Sequence, residues 1–96
     1  MNPVGATAPL PLPLTTLITV SVRLYATLRA AVPGLGLGEA ITVQLPSGST
    51  VDSLVGRLNL PQEQVKIIFV NNHVRPGETV LNDGDRVGIF PPVGGG

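Results

Sequence analysis

Ala40-Ile41-Thr42-Val43-Gln44-Leu45 is followed, after Pro46-Ser47-Gly48, by Val51-Asp52-Ser53-Leu54-Val55-Gly56-Arg57-Leu58, and the hydrophobic period changes between the two. In the first stretch Ile41, Val43 and Leu45 alternate with Thr42 and Gln44, the pattern of a strand with one buried face. In the second, Val51, Leu54, Val55 and Leu58 stand at i, i+3, i+4 and i+7, one stripe of an amphipathic helix. Ser49 or Thr50 can cap the first amides of that helix, and Asp52 in its first turn complements the helix dipole. Gly56 weakens it by about 1 kcal/mol relative to alanine, and Pro61 is expected to end it. So short a helix needs a sheet to pack against.

That sheet is legible on both sides. Upstream, Ile18, Val20, Val22 and Leu24 share one face of a strand from Leu17 to Tyr25, with Thr19, Ser21, Arg23 and Tyr25 on the other. A short turn around Leu28 and a loop, Pro33-Gly34-Leu35-Gly36-Leu37-Gly38, lead to the second strand. Downstream, Lys66-Ile67-Ile68-Phe69-Val70 is rich in β-branched residues and is expected to be buried on both faces. Asn71-Asn72 suits a tight turn, so His73-Val74 returns as a short strand. Turns at Arg75-Pro76-Gly77-Glu78 and Asn82-Asp83-Gly84-Asp85 precede a last strand, Arg86 to Phe90, with Val87 and Ile89 on one face. Pro91 and Pro92 stop it, since neither can donate to a ladder. The order implies an α+β fold, a mixed four- to five-stranded sheet with one packed helix.

Composition narrows the function classes. The 96 residues suit one small domain with a thin core. A net charge of zero gives no electrostatic attraction to nucleic acid or to anionic membrane. The absence of cysteine removes disulfides, thiolate metal sites and a cysteine nucleophile. Residues 1–16 carry no Lys or Arg and contain Pro3, Pro9, Pro11 and Pro13, which suits neither a secretory signal nor a helix. Alternate prolines in Pro9-Leu10-Pro11-Leu12-Pro13-Leu14 favour polyproline II. This segment is expected to be a flexible extension, with a proline-motif docking peptide as the alternative. No run reaches the roughly 18 apolar residues that span a bilayer, and the expected location is cytoplasmic. The expected organisation is an extension over 1–16, a domain over 17–93 and a flexible tail over 94–96.

The last strand runs into Pro91-Pro92-Val93-Gly94-Gly95-Gly96. Glycine has no side chain to obstruct a narrow channel and reaches backbone angles closed to other residues, while two prolines stiffen the exit. From Val93 onward the tail extends at most about 13–14 Å. Such a tail suits a carboxylate delivered into a partner's buried site; a linker remnant is the plain alternative.

The segment from Asn82 to Gly96 resembles the end of the MoaD/ThiS family of ubiquitin-like sulfur carriers. The Gly84-Asp85 turn, the apolar strand, Phe90-Pro91-Pro92-Val93 and the final Gly95-Gly96 carry the likeness, and Leu24-Tyr25-Ala26-Thr27-Leu28-Arg29 is similar to the end of that family's first strand. Phe90-Pro91-Pro92-Val93 is closer to the small subunit of molybdopterin synthase than to the thiamine carrier. The extension and the short helix and connection between Val51 and Val65 depart from the usual pattern. The resemblance implies a ubiquitin-like β-grasp fold and a carrier, at most a non-catalytic subunit, with no intrinsic catalytic residue. It implies that an ATP-dependent activating enzyme, using ATP and Mg²⁺, adenylates Gly96 and that a sulfur donor then leaves a thiocarboxylate there. Gly94, Gly95 and Gly96 would enter the partner's channel, and Phe90, Pro91, Pro92 and Val93 would form a docking element. A large molybdopterin-synthase-type subunit would accept the sulfur for molybdopterin or the related tungsten cofactor. A thiamine-type carrier, a protein modifier joined to lysines through Gly96, and a plain interaction module are the other readings.

No cofactor is expected on the chain itself. Gly34-x-Gly36-x-Gly38 lacks the spacing of a dinucleotide loop and is read as an ordinary loop. His73 stands alone, without a second ligand for a metal. Asp83 and Asp85 lack the further oxygens of a calcium loop and are expected to satisfy turn amides. Arg23, Arg29, Arg57, Lys66, Arg75 and Arg86 are scattered, with solvation the default for each. Phe90 is read equally as core or as an exposed anchor beside the tail.

Overall fold

The structure is a computed structural model and describes residues 16–92. The extension before Thr16, together with Val93, Gly94, Gly95 and Gly96, lies outside the described residues. Strand β1 spans Leu17–Leu24, β2 Ala40–Pro46, helix α1 Val51–Arg57, β3 Ile67–Val70, β4 His73–Val74 and β5 Arg86–Phe90. The strands form one five-stranded sheet in the order β2-β1-β5-β3-β4. All neighbours are antiparallel except the central pair: β1 and β5 run parallel, with Ser21 opposite Arg86 and Leu24 opposite Ile89.

Alternation works as expected in β1, where Ile18, Val20, Val22 and Leu24 are buried. They form a single cluster with Val43 and Leu45 of β2, Ile68 and Val70 of β3, Val87 and Ile89 of β5, and Val51, Leu54 and Val55 of α1. One helix on one face of a mixed sheet is the β-grasp arrangement, and among the described residues the opposite face carries no layer. The turn around Leu28 is a 3-10 helix over Ala26–Ala31 whose buried residue is Leu28.

The helix start follows the capping expectation and resolves it in favour of Thr50. Thr50 Oγ1 accepts from the Ser53 amide at 3.2 Å, and the Thr50 amide donates to Ser53 Oγ at 3.3 Å. This is a reciprocal box with serine in the place of the usual glutamate. The next two amides are taken by a loop, Val51 donating to Thr79 O at 3.0 Å and Asp52 to Gly77 O at 2.9 Å. A Cβ at Gly77 would overlap the Asp52 carboxylate, the exposed end of a side chain that would have to turn aside.

The helix ends earlier than expected. Asn59, at φ 56°, takes the left-handed position just past the end. The Asn59 amide donates to Gly56 O at 3.1 Å and the Leu60 amide to Val55 O at 3.2 Å. That is a Schellman stop, with Leu60 and Val55 both buried beneath it. Pro61 instead precedes a 3-10 turn, Gln62–Gln64. A second correction concerns β3. It is not buried on both faces: Ile68 and Val70 are buried, Phe69 is half-buried and Ile67 is 38% exposed. A continuous apolar run does not reveal that only one face of the sheet carries a helix.

Among the described residues no helix is long and apolar enough to cross a membrane. Because Leu54 is fully buried at the helix–sheet junction, Leu54→Ala is expected to lower unfolding free energy by about 2–5 kcal/mol. Asn59→Gly, which keeps the left-handed stop, is expected to change it by less than about 0.5 kcal/mol. Denaturant midpoints of the two variants check both values.

Candidate functional site

The face without a helix holds the aromatic side chains. Outward alternation in β1 ends on Tyr25, outward positions in β5 are Arg86, Gly88 and Phe90, and β3 contributes Ile67 and Phe69. Register brings them together: Gly88 lies opposite Arg23 on one side and Phe69 on the other, and Phe90 lies opposite Ile67. Tyr25 stacks on Phe90 with ring centroids 4.1 Å apart and planes 2° from parallel. Phe69 meets Phe90 edge-on at 5.5 Å. These geometries contribute about 0.5–1.5 kcal/mol per pair beyond area burial.

Gly88 makes the stack fit. A Cβ there would stand 3.3 Å from Tyr25 Cε2 and 3.8 Å from Phe90 Cε1, so the tyrosine ring lies across the bare backbone. The result is a groove of about 280 Å³ lined by the three aromatics, Gly88, Arg23, Arg86 and Asn72. Nitrogen donors border it, and among the described residues no carboxylate lines it. Arg23 is held in place by its Nε, which donates to Gly38 O at 3.1 Å. Beyond the rings the surface continues over Ile67 and Val74, 38% and 63% exposed.

Phe90 is therefore half-buried on the open face and not part of the core cluster. Its carbonyl accepts from the Lys66 amide at 2.9 Å, the last ladder bond before Pro91, which is half-buried, and Pro92, which is exposed. The chain thus leaves the sheet beside the aromatic groove. Val93, Gly94, Gly95 and Gly96 lie outside the described residues. Of the six basic residues, Arg23 and Arg86 meet at the groove, whereas Arg29 lines a different depression beside Ala26 and Gly34.

The acidic turn does what its residue types suggest. Asp83 Oδ1 accepts from the Thr19 amide at 2.7 Å. Asp85 accepts from Asn71 Nδ2 at 2.9 Å and from the Asn82 amide at 2.8 Å. Those oxygens are committed to holding the turn against the sheet. Among the described residues no group of three metal-ligating side chains converges, and His73 is exposed on β4.

Tyr25 lies on the outward face, as the alternation of β1 predicts, whereas Phe69, expected inside, is half-buried on the open face. An isolated glycine in a strand signals close approach of another group; Gly88, between Val87 and Ile89, is that signal. Gly88→Ala is expected to displace the Tyr25 ring while moving the unfolding midpoint little. The gain of about 0.5–1 kcal/mol from removing a strand glycine offsets the cost of crowding. Tyr25 is the only tyrosine and there is no tryptophan, so its emission and ring-current shifts read the displacement directly. An unchanged Tyr25 environment would contradict the packing described.

Comparison with known proteins agrees with this architecture. The ThiS family model matches residues 22–96. No curated protein matches the chain. A Pyrococcus furiosus protein assigned as molybdopterin converting factor subunit 1 is similar at TM-score 0.62 and 26% identity, over 79% of this chain and 99% of that one. Small archaeal modifier protein 1 from Methanosarcina acetivorans is similar at TM-score 0.58 and 24% identity, over 84% of this chain and 99% of that one. A Caldiarchaeum subterraneum ubiquitin shares the fold at TM-score 0.55 and 12% identity, over 84% of this chain and 100% of that one. Because the family match runs from the middle of β1 through the final glycine, the chain belongs to the ThiS family, and its fold is the ubiquitin-like β-grasp.

Proposed function

We propose that this chain is a sulfur carrier and not itself an enzyme, with the carboxylate of Gly96 as its working group. The observation that carries the reading is the exit of β5: Phe90-Pro91-Pro92 leaves the sheet beside an open aromatic face, and the family match extends through Gly96. A partner seated on that face would have the tail's origin at its edge. The Gly94-Gly95-Gly96 tail, with Val93 before it, is thin enough to enter a closed channel.

The chemistry belongs to the partner, and the chain supplies the acyl group. A carboxylate is a poor electrophile. In the activating enzyme a Gly96 carboxylate oxygen attacks the α-phosphorus of Mg²⁺-bound ATP, and pyrophosphate leaves. A persulfide on a sulfur donor then attacks the acyl carbon, and AMP leaves with the C–O bond electrons. A thiolate next attacks the donor-side sulfur of the resulting acyl disulfide, forming a new disulfide on the donor and breaking the S–S bond so that one sulfur stays on Gly96. The product is a Gly96 thiocarboxylate, whose sulfur is nucleophilic. The chain's own part would be to present this end; ATP and Mg²⁺ would be bound by the partner. Molybdopterin or tungsten-cofactor synthesis is the pathway that the Phe90-Pro91-Pro92-Val93 element and the Pyrococcus furiosus relative favour. A cytoplasmic site of action fits a pathway that draws on ATP.

Likeness to a small archaeal modifier protein supports a second reading, conjugation to lysines through the same Gly96 carboxylate. Both readings use one activation step and diverge at the acceptor.

Two outcomes are expected. Co-expression with the activating enzyme yields a species heavier by the difference between sulfur and oxygen, and deleting Gly95-Gly96 abolishes it; a spectrum with only the carboxylate form contradicts the proposal. A ladder of conjugates that needs Gly96 would select the modifier reading. Phe90→Ala is expected to lower kcat/KM for adenylation about 10-fold or more, as loss of a central aromatic anchor does. Pyrophosphate release measures that change, and an unaltered value would remove Phe90 from the docking surface.

A further inference from the structure

We infer that the open face selects a protein partner whose docking segment carries carboxylates beside an apolar anchor, and that Arg23 and Arg86 read those carboxylates. The inference rests on the carrier reading and deepens it, since it names the chemistry of the surface that receives the chain.

The sheet is electrostatically one-sided. The chain balances six basic residues against six acidic ones, yet the only charged side chains on the five strands are Arg23 and Arg86. Both are exposed on the open face. The carboxylates of Glu39, Asp52, Glu63, Glu78, Asp83 and Asp85 all lie in loops and helices.

The carboxylates nearest the two arginines are committed elsewhere. Glu39 precedes Ala40, the register partner of Arg23, but its Oε1 accepts from the Gly36 amide at 2.7 Å. Asp85 precedes Arg86, but it is buried and accepts from Asn71 Nδ2 and the Asn82 amide. Asp83 is tied to the Thr19 amide. Among the described residues, no carboxylate lines the groove beside these guanidinium groups. Arg23 Nε donates to Gly38 O at 3.1 Å, a bond that holds the stem without using the terminal nitrogens. The planar fork of a guanidinium matches the two oxygens of a carboxylate.

Register sets the spacing. Arg23 and Gly88 share a level, two residues before that of Tyr25 and Phe90, and Arg86, opposite Ser21, stands two residues further back. At ~3.3 Å per residue, the two arginines arise about 7 and 13 Å from the stacked rings. A partner segment with an apolar side chain over Phe90 and Phe69 therefore meets them with carboxylates two and four residues along an extended chain. Its acidic end points away from Pro91, where the carrier chain leaves the sheet. Aromatic rings with arginine also suit single-stranded nucleic acid, but a neutral chain with two cations on this face lacks the positive groove that tracks a phosphate backbone.

Two peptides test the inference on the full-length, isotope-labelled chain by NMR: acetyl-Phe-Ser-Asp-Ser-Asp-amide and the same peptide with lysine in place of aspartate. The acidic peptide is expected to shift the amides of Arg23, Phe69, Gly88 and Phe90 and to leave those of Asp52, Ser53 and Arg57 in place. Its affinity should exceed that of the lysine peptide about 5- to 10-fold, and about 0.5 M salt should remove most of the difference. Arg86→Gln should reduce the preference, and Arg23→Gln combined with Arg86→Gln should abolish it. Arg57→Gln, the same charge change on the helix, should leave it as in the parent. Equal responses to the two peptides, a response on the helix, no response to either, or larger shifts from a short oligothymidylate overturn the inference. With the activating enzyme, the double variant should raise KM for adenylation about 5-fold and change kcat less. The peptide measurement needs no enzyme, so its failure removes the acidic specificity alone. A parent chain that is never adenylated removes the carrier function and leaves the peptide result standing.

Discussion

The parallel pairing of β1 with β5 at the centre of the sheet is the constraint from which the rest follows. Strands far apart in sequence are joined there, Ser21–Leu24 against Arg86–Ile89, and parallel neighbours cannot be linked by a hairpin. The intervening chain must cross over, and in doing so it supplies β2, the helix, β3 and β4. Burial holds the pairing: Val20, Val22, Leu24, Val87 and Ile89 lie in the core cluster beneath α1, and a fully buried aliphatic side chain contributes about 1.5–3 kcal/mol. The Asn82–Asp85 turn adds register, since Gly84 N–H donates to Thr19 O at 2.8 Å and Ser21 N–H to Asp85 O at 3.0 Å.

Parallel strands also decide where the ends go. The chain enters β1 at one edge of the domain and leaves β5 at the opposite one. At the exit, Tyr25, just past the end of β1, stacks on Phe90, the last residue of β5, and Gly88 leaves room for the tyrosine ring. The one short helix protects a single face. The other face keeps aromatic and aliphatic groups within a border of arginine, a composition typical of binding surfaces. The carrier function proposed above would need little more than this: a rigid body, a recognisable face and a chain that leaves the sheet at its margin.

Much of the fold could be read from residue periodicity. The strands at Leu17, Ala40 and Arg86, the stripe Val51, Leu54, Val55 and Leu58, and the Asn71-Asn72 turn each followed from local pattern, because each is set by neighbours in sequence. Errors came where a distant element decides. Ile67 and Phe69 looked buried because an apolar run carries no record of which face lacks a helix. The helix stop was assigned to Pro61, although Asn59, which tolerates positive φ, already offered a left-handed position closer in. The aromatic groove was legible only in fragments, since Tyr25, Phe69 and Phe90 come from three strands and meet through register. The tail residues carried the functional reading through their resemblance to a known family, while the surface beside them emerged only in three dimensions.

The proposed function requires the open sheet face to be the surface that an activating enzyme engages. Its most direct test is a cross-saturation footprint of the isotope-labelled chain bound to that enzyme. Saturation should transfer to Ile67, Phe69, Gly88 and Phe90 and leave the exposed helix residues Asp52, Ser53 and Arg57 untouched. A footprint on the helix with the open face unaffected would contradict it.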